Sequence, residues 1–539
     1  QVQTTDKAGK VISIVRSHAD GSLDYTETLK TDGTKVYGYY NAAGKKITGV
    51  TIEADGSRIT ASYDAKTGVV TKEVDAEPNG DTLTTVYTAG VKTSMVVAHA
   101  NGTTEYYAYN ITGRTYTAQV QTTDKDGKVI SIVRSHADGS LDYTETLKTD
   151  GTKLASYFDA TGQKTMDVVA EADGDTTTTS FTKGIRTSVL EKHADGSSVA
   201  SAFNISGQSY TTQVQVFDKN GNIVSLTRSH ADGSLDYAET VNTDGSKTYS
   251  YFDATGHKLN AITVLTNGER TATYYDAASG NVTKIIVQET DGDTATTSYT
   301  NGIKTGYALL HADGSAEYHA YNLKGLSYTT QVQIADKSGK IVSIVRSHAD
   351  GSLDYSEVLQ SDGSKAFDYY DAQGRHLSSN HTFTDGSKSA TYYDATTGYI
   401  TKELVQITGG DTTTTTYSAG VKSSMSVAHA DGSADYYAYN LTGRSYTTQH
   451  QTVDASGVTV SVIRSHADGS LDYTEVLQSD GSKVVNAYDA TGNPLTKTTN
   501  FADGSREIIT HMQDGTGDVR DADYNSAKVL QTLDVLHTD

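Results

Sequence analysis

Larger and smaller side chains alternate along residues 11–29, the period-2 pattern of a strand with two unlike faces. Asp20-Gly21 interrupts that pattern near its centre. Asp-Gly between two alternating runs signals a hairpin, and a type I′ turn there pairs Ala19 with Ser22, His18 with Leu23 and Arg16 with Tyr25. It also pairs Ile14 with Glu27 and Ile12 with Leu29. One face then carries Ile12, Ile14, Arg16, His18, Leu23, Tyr25, Glu27 and Leu29. The other carries Val11, Ser13, Val15, Ser17, Asp24, Thr26 and Thr28. The first face is bulkier and more apolar, so it is assigned inward, and the alternation makes its register hard to slip. A second turn at Asp32-Gly33 pairs Leu29 with Val36, Glu27 with Gly38 and Tyr25 with Tyr40. That pairing puts Tyr40 on the inward face. Phe158, Phe252, Tyr370 and Tyr488 occupy the same position later, which predicts a stacked aromatic row worth about 0.5–1.5 kcal/mol per pair.

The hairpin is a repeat. The phrase at 16–25, Arg-Ser-His-Ala-Asp-Gly-Ser-Leu-Asp-Tyr, returns unchanged at 134–143, 228–237, 346–355 and 464–473. Shorter copies start at His193, His311 and His429, and a looser one starts at His99. Gln-Val-Gln or a variant opens larger blocks, which divide the chain into 1–118, 119–212, 213–330, 331–448 and a partial block 449–539. The second block has 94 residues against 118, and the missing 24 correspond to about 59–81. Turn glycines fall about every 12 residues, so the deletion removes two strands and two turns. The hairpin is therefore the unit of gain and loss. The expected fold is all-β, a repetitive antiparallel β-hairpin array of about 45 short strands, built as a shell, a solenoid or an extended twisted sheet.

A second turn chemistry alternates with the first. It reads Tyr-Asn-Ala-Ala-Gly at 40–44, Phe-Asp-Ala-Thr-Gly at 158–162 and 252–256, Tyr-Asp-Ala-Gln-Gly at 370–374 and Tyr-Asp-Ala-Thr-Gly at 488–492. Asp or Asn opens the turn and Gly supplies the left-handed residue that closes it. These phrases, with Tyr63-Asp64, resemble the YD repeat of RHS-type proteins, and the resemblance runs over nearly the whole chain. It implies a β-rich shell or fibre at the bacterial surface, in some members enclosing a toxin. Repeat regions of giant secreted adhesins are similar as well.

Composition narrows the chemistry. Only 36% of the 539 residues are hydrophobic, and the aromatics are nearly all Tyr, 37 against 8 Phe and no Trp, which suits half-wet sheet faces better than thick cores. Without cysteine there are neither disulfides nor thiolate metal sites. A net charge of −22 argues against nucleic acid and anionic membrane as partners and leaves glycans, cations or further copies of the chain. No apolar run reaches the ~18–20 residues of a membrane helix, so membrane insertion is not expected. The chain opens at Gln1, at the start of a repeat and without Met, as a processed product or a piece of something longer would.

The candidate sites recur with the repeat. His18 and its copies at 136, 230, 348 and 466 lack the clustered ligands of a metal site and read as histidines bonding the turn backbone. Arg16, Tyr25 and Glu27 read as a cation–π contact with an ion pair that stabilises the sheet. Asp20 and Gly21 belong to the turn, and Asp20 with Asp24 offers too few oxygens for calcium by itself. The repeat pattern fails near Arg506, where Asp514, Asp518, Asp521 and Asp523 crowd together as a candidate calcium site. Beyond them, 526–537 reads equally as a short capping helix or as a continuing strand. Asn110-Ile111-Thr112 and Asn440-Leu441-Thr442 fit the glycosylation pattern. No constellation for catalysis appears. The expectation is a non-enzymatic, extracellular or surface-exposed bacterial structural or adhesive region with no obligatory cofactor, binding glycans or itself. The alternatives are an RHS-like shell around another polypeptide and the glycan-binding array of a polysaccharide-active protein.

Overall fold

The computed structural model describes residues 1–537, and among them every regular element is a β-strand. There are 46, from the four residues of Val2–Thr5 to the eight of Val91–Ala98. Among the described residues no helix is long and apolar enough to cross a membrane. Contacts divide the chain into two units, Gln1–Thr266 with Asp276–Gly280, and Asn267–Tyr275 with Asn281–Asp539, and 23 strands fall in each. Within each unit every pairing is antiparallel and joins strands consecutive in sequence, so each is an open meander of hairpins. From one Gln-Val-Gln strand to the next the chain makes ten strands, and from 119 to 213 it makes eight. Large apolar side chains stay exposed on opposite faces within each unit, Tyr157 and Ile47 in the first and Tyr318 and Leu377 in the second. Both faces of the sheet in each unit are therefore accessible.

Register partners place Arg16, Tyr25 and Tyr39 on one face, with Ile14, Glu27, Tyr37 and Val50 in the neighbouring row. We call this the ladder face. Eleven of the twelve buried apolar residues belong to it, among them Val50, Tyr143, Leu226, Tyr355 and Val462. Tyr446, on a loop, is the twelfth. The inward assignment of Ile14, Arg16, Tyr25 and Glu27 agrees with this distribution.

The turns differ from the expected type, and the difference moves a whole row of side chains. At Asp20-Gly21 the Gly21 N–H donates to the His18 carbonyl (3.1 Å) and the His18 N–H to the Ser22 carbonyl (2.8 Å). Only Gly21 has positive φ, at 88°. This is a type I turn closed by a left-handed glycine, with three loop residues where type I′ has two. The Asp20 carboxylate selects it by accepting the Ser22 N–H (2.9 Å) and hydroxyl (2.6 Å). Arg16 still faces Tyr25 and Ile14 faces Glu27, because a register shift between Arg16 and Ser17 absorbs the extra residue and pairs Ser17 with Leu23. At Asp32-Gly33 nothing absorbs it. Tyr25 there pairs with Tyr39, Glu27 with Tyr37 and Thr26 with Gly38. Tyr40 consequently lies on the face opposite Tyr25, since a one-residue change of register inverts every side chain. The aromatic row is built by Tyr39, Tyr157, Tyr251 and Tyr369, at 5.4, 5.0, 5.2 and 5.1 Å from Tyr25, Tyr143, Tyr237 and Tyr355. True type I′ geometry occurs at Ala89-Gly90, Lys183-Gly184, Asn301-Gly302 and Ala419-Gly420, where both central residues have positive φ.

The C-terminal alternatives resolve in favour of strand. Val519–Tyr524 pairs with Leu530–Leu536, so the leucines at helical spacing lie on a strand exposed throughout. Lys528, at φ 63°, closes the turn between them.

Candidate binding sites on the repeating sheet

The Gln–Arg–Tyr–Tyr ladder is the most regular cluster. Gln119, Arg134, Tyr143 and Tyr157 stand in register across four strands. The Arg134 guanidinium lies 4.8 Å from the ring centroids of both Tyr143 and Tyr116, and its Nε donates to Gln119 Oε1 (3.0 Å). Arg228, Arg346 and Arg464 repeat all three contacts. The Arg–Glu ion pair expected from sequence is not formed: no salt bridge joins an arginine to a glutamate among the described residues. Glu27 accepts from the Tyr25 hydroxyl (2.8 Å), and in later copies Glu145, Glu357 and Glu475 bind Lys153, Lys365 and Lys483 at 2.7–2.9 Å. Arginine reaches the glutamine instead, because the next strand places that amide directly opposite it.

The repeated histidines tie loops together. His136 Nδ1 lies 2.8 Å from the Thr115 carbonyl and Nε2 3.1 Å from the Asp159 carbonyl. His230, His348 and His466 bridge the equivalent carbonyls. At His136 both acceptors are satisfied together only when both ring nitrogens donate, which favours the imidazolium there. Bonding to Thr115 and then Asp159, with Asp142 and Asp138 nearby, raises the His136 pKa. His18 stands apart, its Nε2 buried without a hydrogen-bond partner and 3.8 Å from Asp24. A second set, His99, His193, His311 and His429, bonds Asp81, Asp175, Asp293 and Asp411 through Nδ1 at 2.7–3.0 Å. His429 and His450 also share Asp435, whose carboxyl is held at about 2, chiefly by the Thr452 hydroxyl.

Two kinds of hollow were not legible as sites in the sequence, and the first of them recurs. One lies where an aromatic-Asn-Ile/Leu corner leaves the sheet. At Lys422, Tyr439, Asn440, Leu441 and Thr447 it encloses about 560 Å³, with the lysine 4.6 Å over the tyrosine ring. The other is a depression of about 240 Å³ on the ladder face, lined by Thr296, Ser298, Gly306, Tyr318, Gln331 and Gln333. Its two glutamines come from a Gln-Val-Gln triplet that the sequence marks only as a block opening.

The acidic cluster at the C-terminus forms only in part. Asp521 and Asp523 meet Glu507, with one carboxylate oxygen from each within 4.8 Å of the others. Asp514 is committed to its own turn through the Thr516 N–H and hydroxyl, and Asp518 pairs with His537 (2.8 Å). Glu507 was missed because it lies upstream, on the strand that brings it opposite Asp523. Burial first, then the charges of Glu507, Asp523 and Asp534, raise the Asp521 pKa, and its Oδ1 has no hydrogen-bond partner. Glu507, Asp521 and Asp523 are thus the residues that offer a divalent cation three carboxylates, half or fewer of the oxygens calcium takes.

No family model matches the chain, and no curated protein matches it. Solved structures do. A TcdB2-TccC3 crystal structure without the hypervariable C-terminal region is 13% identical with TM-score 0.14, and a Photorhabdus luminescens Tc holotoxin pore with a mutation in TccC3 is 13% identical with TM-score 0.15. The alignments cover 98% and 97% of this chain, which spans only about a third of each matched chain, 34% and 31%. TM-scores of this size carry no inference about what the chain does.

Proposed function

We propose that the chain is a length of structural β-repeat wall of RHS-like type, non-enzymatic, that carries or encloses another polypeptide. The observation behind this reading is that its clusters repeat with the hairpins. The Arg–Tyr–Gln ladder, the histidine straps and the corner hollows each recur block after block, which is how a scaffold is built, whereas an active site occurs once. The Tyr-Asp turn phrases and the wide exposure of both faces support the same view, since a bare sheet presents large surfaces to a partner. The bacterial exterior is the compartment that fits a cysteine-free, acidic, repetitive chain.

An adhesive or filamentous role is the second reading, favoured by a row of tyrosines on one face that are 37–49% exposed, among them Tyr157, Tyr318 and Tyr436. Electron microscopy of the purified chain, with and without chelator, separates the two. Curved walls bounding a lumen support the carrier. Straight rods joined edge to edge exclude it.

A further inference from the structure

The ladder face carries a depression that matches a sugar ring, and we propose that it binds a residue of a neutral polysaccharide. It lies in the second unit. Tyr318, 46% exposed, stands directly across from Gln333, and Ala320 stands across from Gln331. Gly306, Ala308 and Ala320 are small enough to leave a hollow beside the tyrosine ring, and Thr296 and Ser298 bring hydroxyls to its far side. The lining contains no carboxylate and no ammonium group.

The chemistry of each group suits a pyranose. One face of such a ring is a patch of C–H groups that rests on an aromatic ring, while its rim of hydroxyls both donates and accepts. Tyr318 supplies the platform. Gln331 supplies an oriented donor: Arg346 Nε holds its Oε1 (2.9 Å), the guanidinium being fixed in turn between Tyr328 and Tyr355, and no described residue accepts from the Gln331 Nε2. Gln333, Thr296 and Ser298 complete a polar rim. A site fixed before the ligand arrives loses less entropy on binding. At about 240 Å³ the hollow suits a single sugar residue rather than a larger ligand. The net charge of −22 favours a neutral polymer over an acidic one.

The tyrosine–glutamine pair recurs, while the positions of Gly306 and Ala308 hold Ser94 and Val96 in the first block and Ser424 and Ser426 in the fourth. Tyr106 faces Gln121 and Tyr436 faces Gln451, with Ala108 and Ala438 opposite Gln119 and Gln449. Both tyrosines are exposed, at 41% and 49%. The short block differs in one respect: Ala200 stands opposite Gln215, so the amides are kept and the platform is missing. In the second unit the Tyr318 and Tyr436 strands are ten apart, roughly 48 Å along the sheet, so one long polysaccharide can engage both and gain avidity from weak single sites. Placing glycan on this face assigns any carried polypeptide to the other.

Native affinity electrophoresis of the intact chain in gels containing mixed-linkage β-glucan, galactomannan or dextran tests this. At least one of these polymers is expected to retard the chain. The triple variant Tyr106→Ala, Tyr318→Ala, Tyr436→Ala should bind at least about tenfold more weakly. Ala200 shows that the sheet accepts alanine at this position, and an unchanged far-UV spectrum confirms folding. The converse variant Ala200→Tyr adds a platform and should bind more tightly than the parent. Migration unaffected by all three polymers, or equal retardation of parent and triple variant, overturns the proposal. Neither result depends on whether microscopy shows a shell.

Discussion

The guanidinium of Arg134 lies 4.8 Å from the ring centroid of Tyr143, its partner across two antiparallel strands, and the same pair recurs as Arg228–Tyr237, Arg346–Tyr355 and Arg464–Tyr473. Tyr116 covers the other side of the Arg134 guanidinium and Gln119 accepts from its Nε, so one side chain joins three strands and a loop. Arg134→Ala should therefore cost about 1–3 kcal/mol locally, from the lost cation–π contacts and hydrogen bond. Arg134→Lys should cost less, since it keeps the charge and loses the planar fork. In a linear array the damage stays near its source, so hydrogen exchange should quicken in Val129–Ser135 and Leu141–Leu147 and not in distant strands. Unchanged exchange there would show the ladder to be ornamental.

Stability should fall as pH rises past neutrality. His136, His348 and His466 have folded pKa values raised above the usual 6.5, foremost by bonds to the carbonyls of Thr115, Ser327 and Ser445. A raised folded pKa means that the folded state holds the proton more tightly. The contribution is therefore complete below 6.5 and disappears as pH climbs through the folded value. His99, His193, His311 and His429, raised foremost by carboxylate partners, act in the same direction. Thermal melts from pH 5.5 to 8.5 should show a declining midpoint, and replacing His136, His348 and His466 by Gln should flatten the slope. A midpoint that rises across this range contradicts the assignment.

The two turn types should answer oppositely to glycine. Ala89 sits at φ 49° in a type I′ turn, where a side chain is strained, so Ala89→Gly should stabilise by about 0.5–1 kcal/mol. Asp138 has no such strain, and its carboxylate accepts the Ser140 N–H (2.9 Å) and hydroxyl (2.6 Å). Asp138→Gly should destabilise, since both bonds are lost. Denaturant midpoints of the two variants decide the matter, and like-signed shifts would mean that the turns are equivalent.

Relief of charge should firm the C-terminal strands. Asp521 is raised above its usual 3.8 by burial first and by three neighbouring carboxylates next, so the folded state carries a penalty that appears as pH rises through 3.8. Asp521→Asn should slow hydrogen exchange in Arg506–His511 and Val519–Tyr524 at pH 7. Added calcium should slow exchange in the parent chain and do so less in the variant. Faster exchange in the variant would make the carboxylate a stabilising group.

Much of this architecture was legible in advance, and its omissions share a cause. Gly21, Asp20 and the period-2 runs announce hairpins because left-handed glycine and alternating faces are local properties of the chain. The contacts of Arg16 with Tyr25 and of Ile14 with Glu27 followed from counting outward from one turn. Counting failed at Tyr40. Asp-Gly is compatible with a two-residue or a three-residue loop, and the difference of one residue inverts the face. The carboxylate of Asp20 or Asp32 makes that choice by binding the N–H two residues on, a contact that exists only once the chain has turned.

Neighbours distant in sequence were the other omission. Glu507 joins Asp521 and Asp523, and Tyr318 joins Gln331 and Gln333, only because adjacent strands place them opposite one another. By itself the sequence determined an all-β hairpin repeat, its period and its turn positions, since these depend on backbone preference and side-chain alternation. The tertiary structure alone decided which face each row occupies and which side chains meet across strands. Those depend on register, which one hydrogen bond in each turn sets and the whole sheet then inherits.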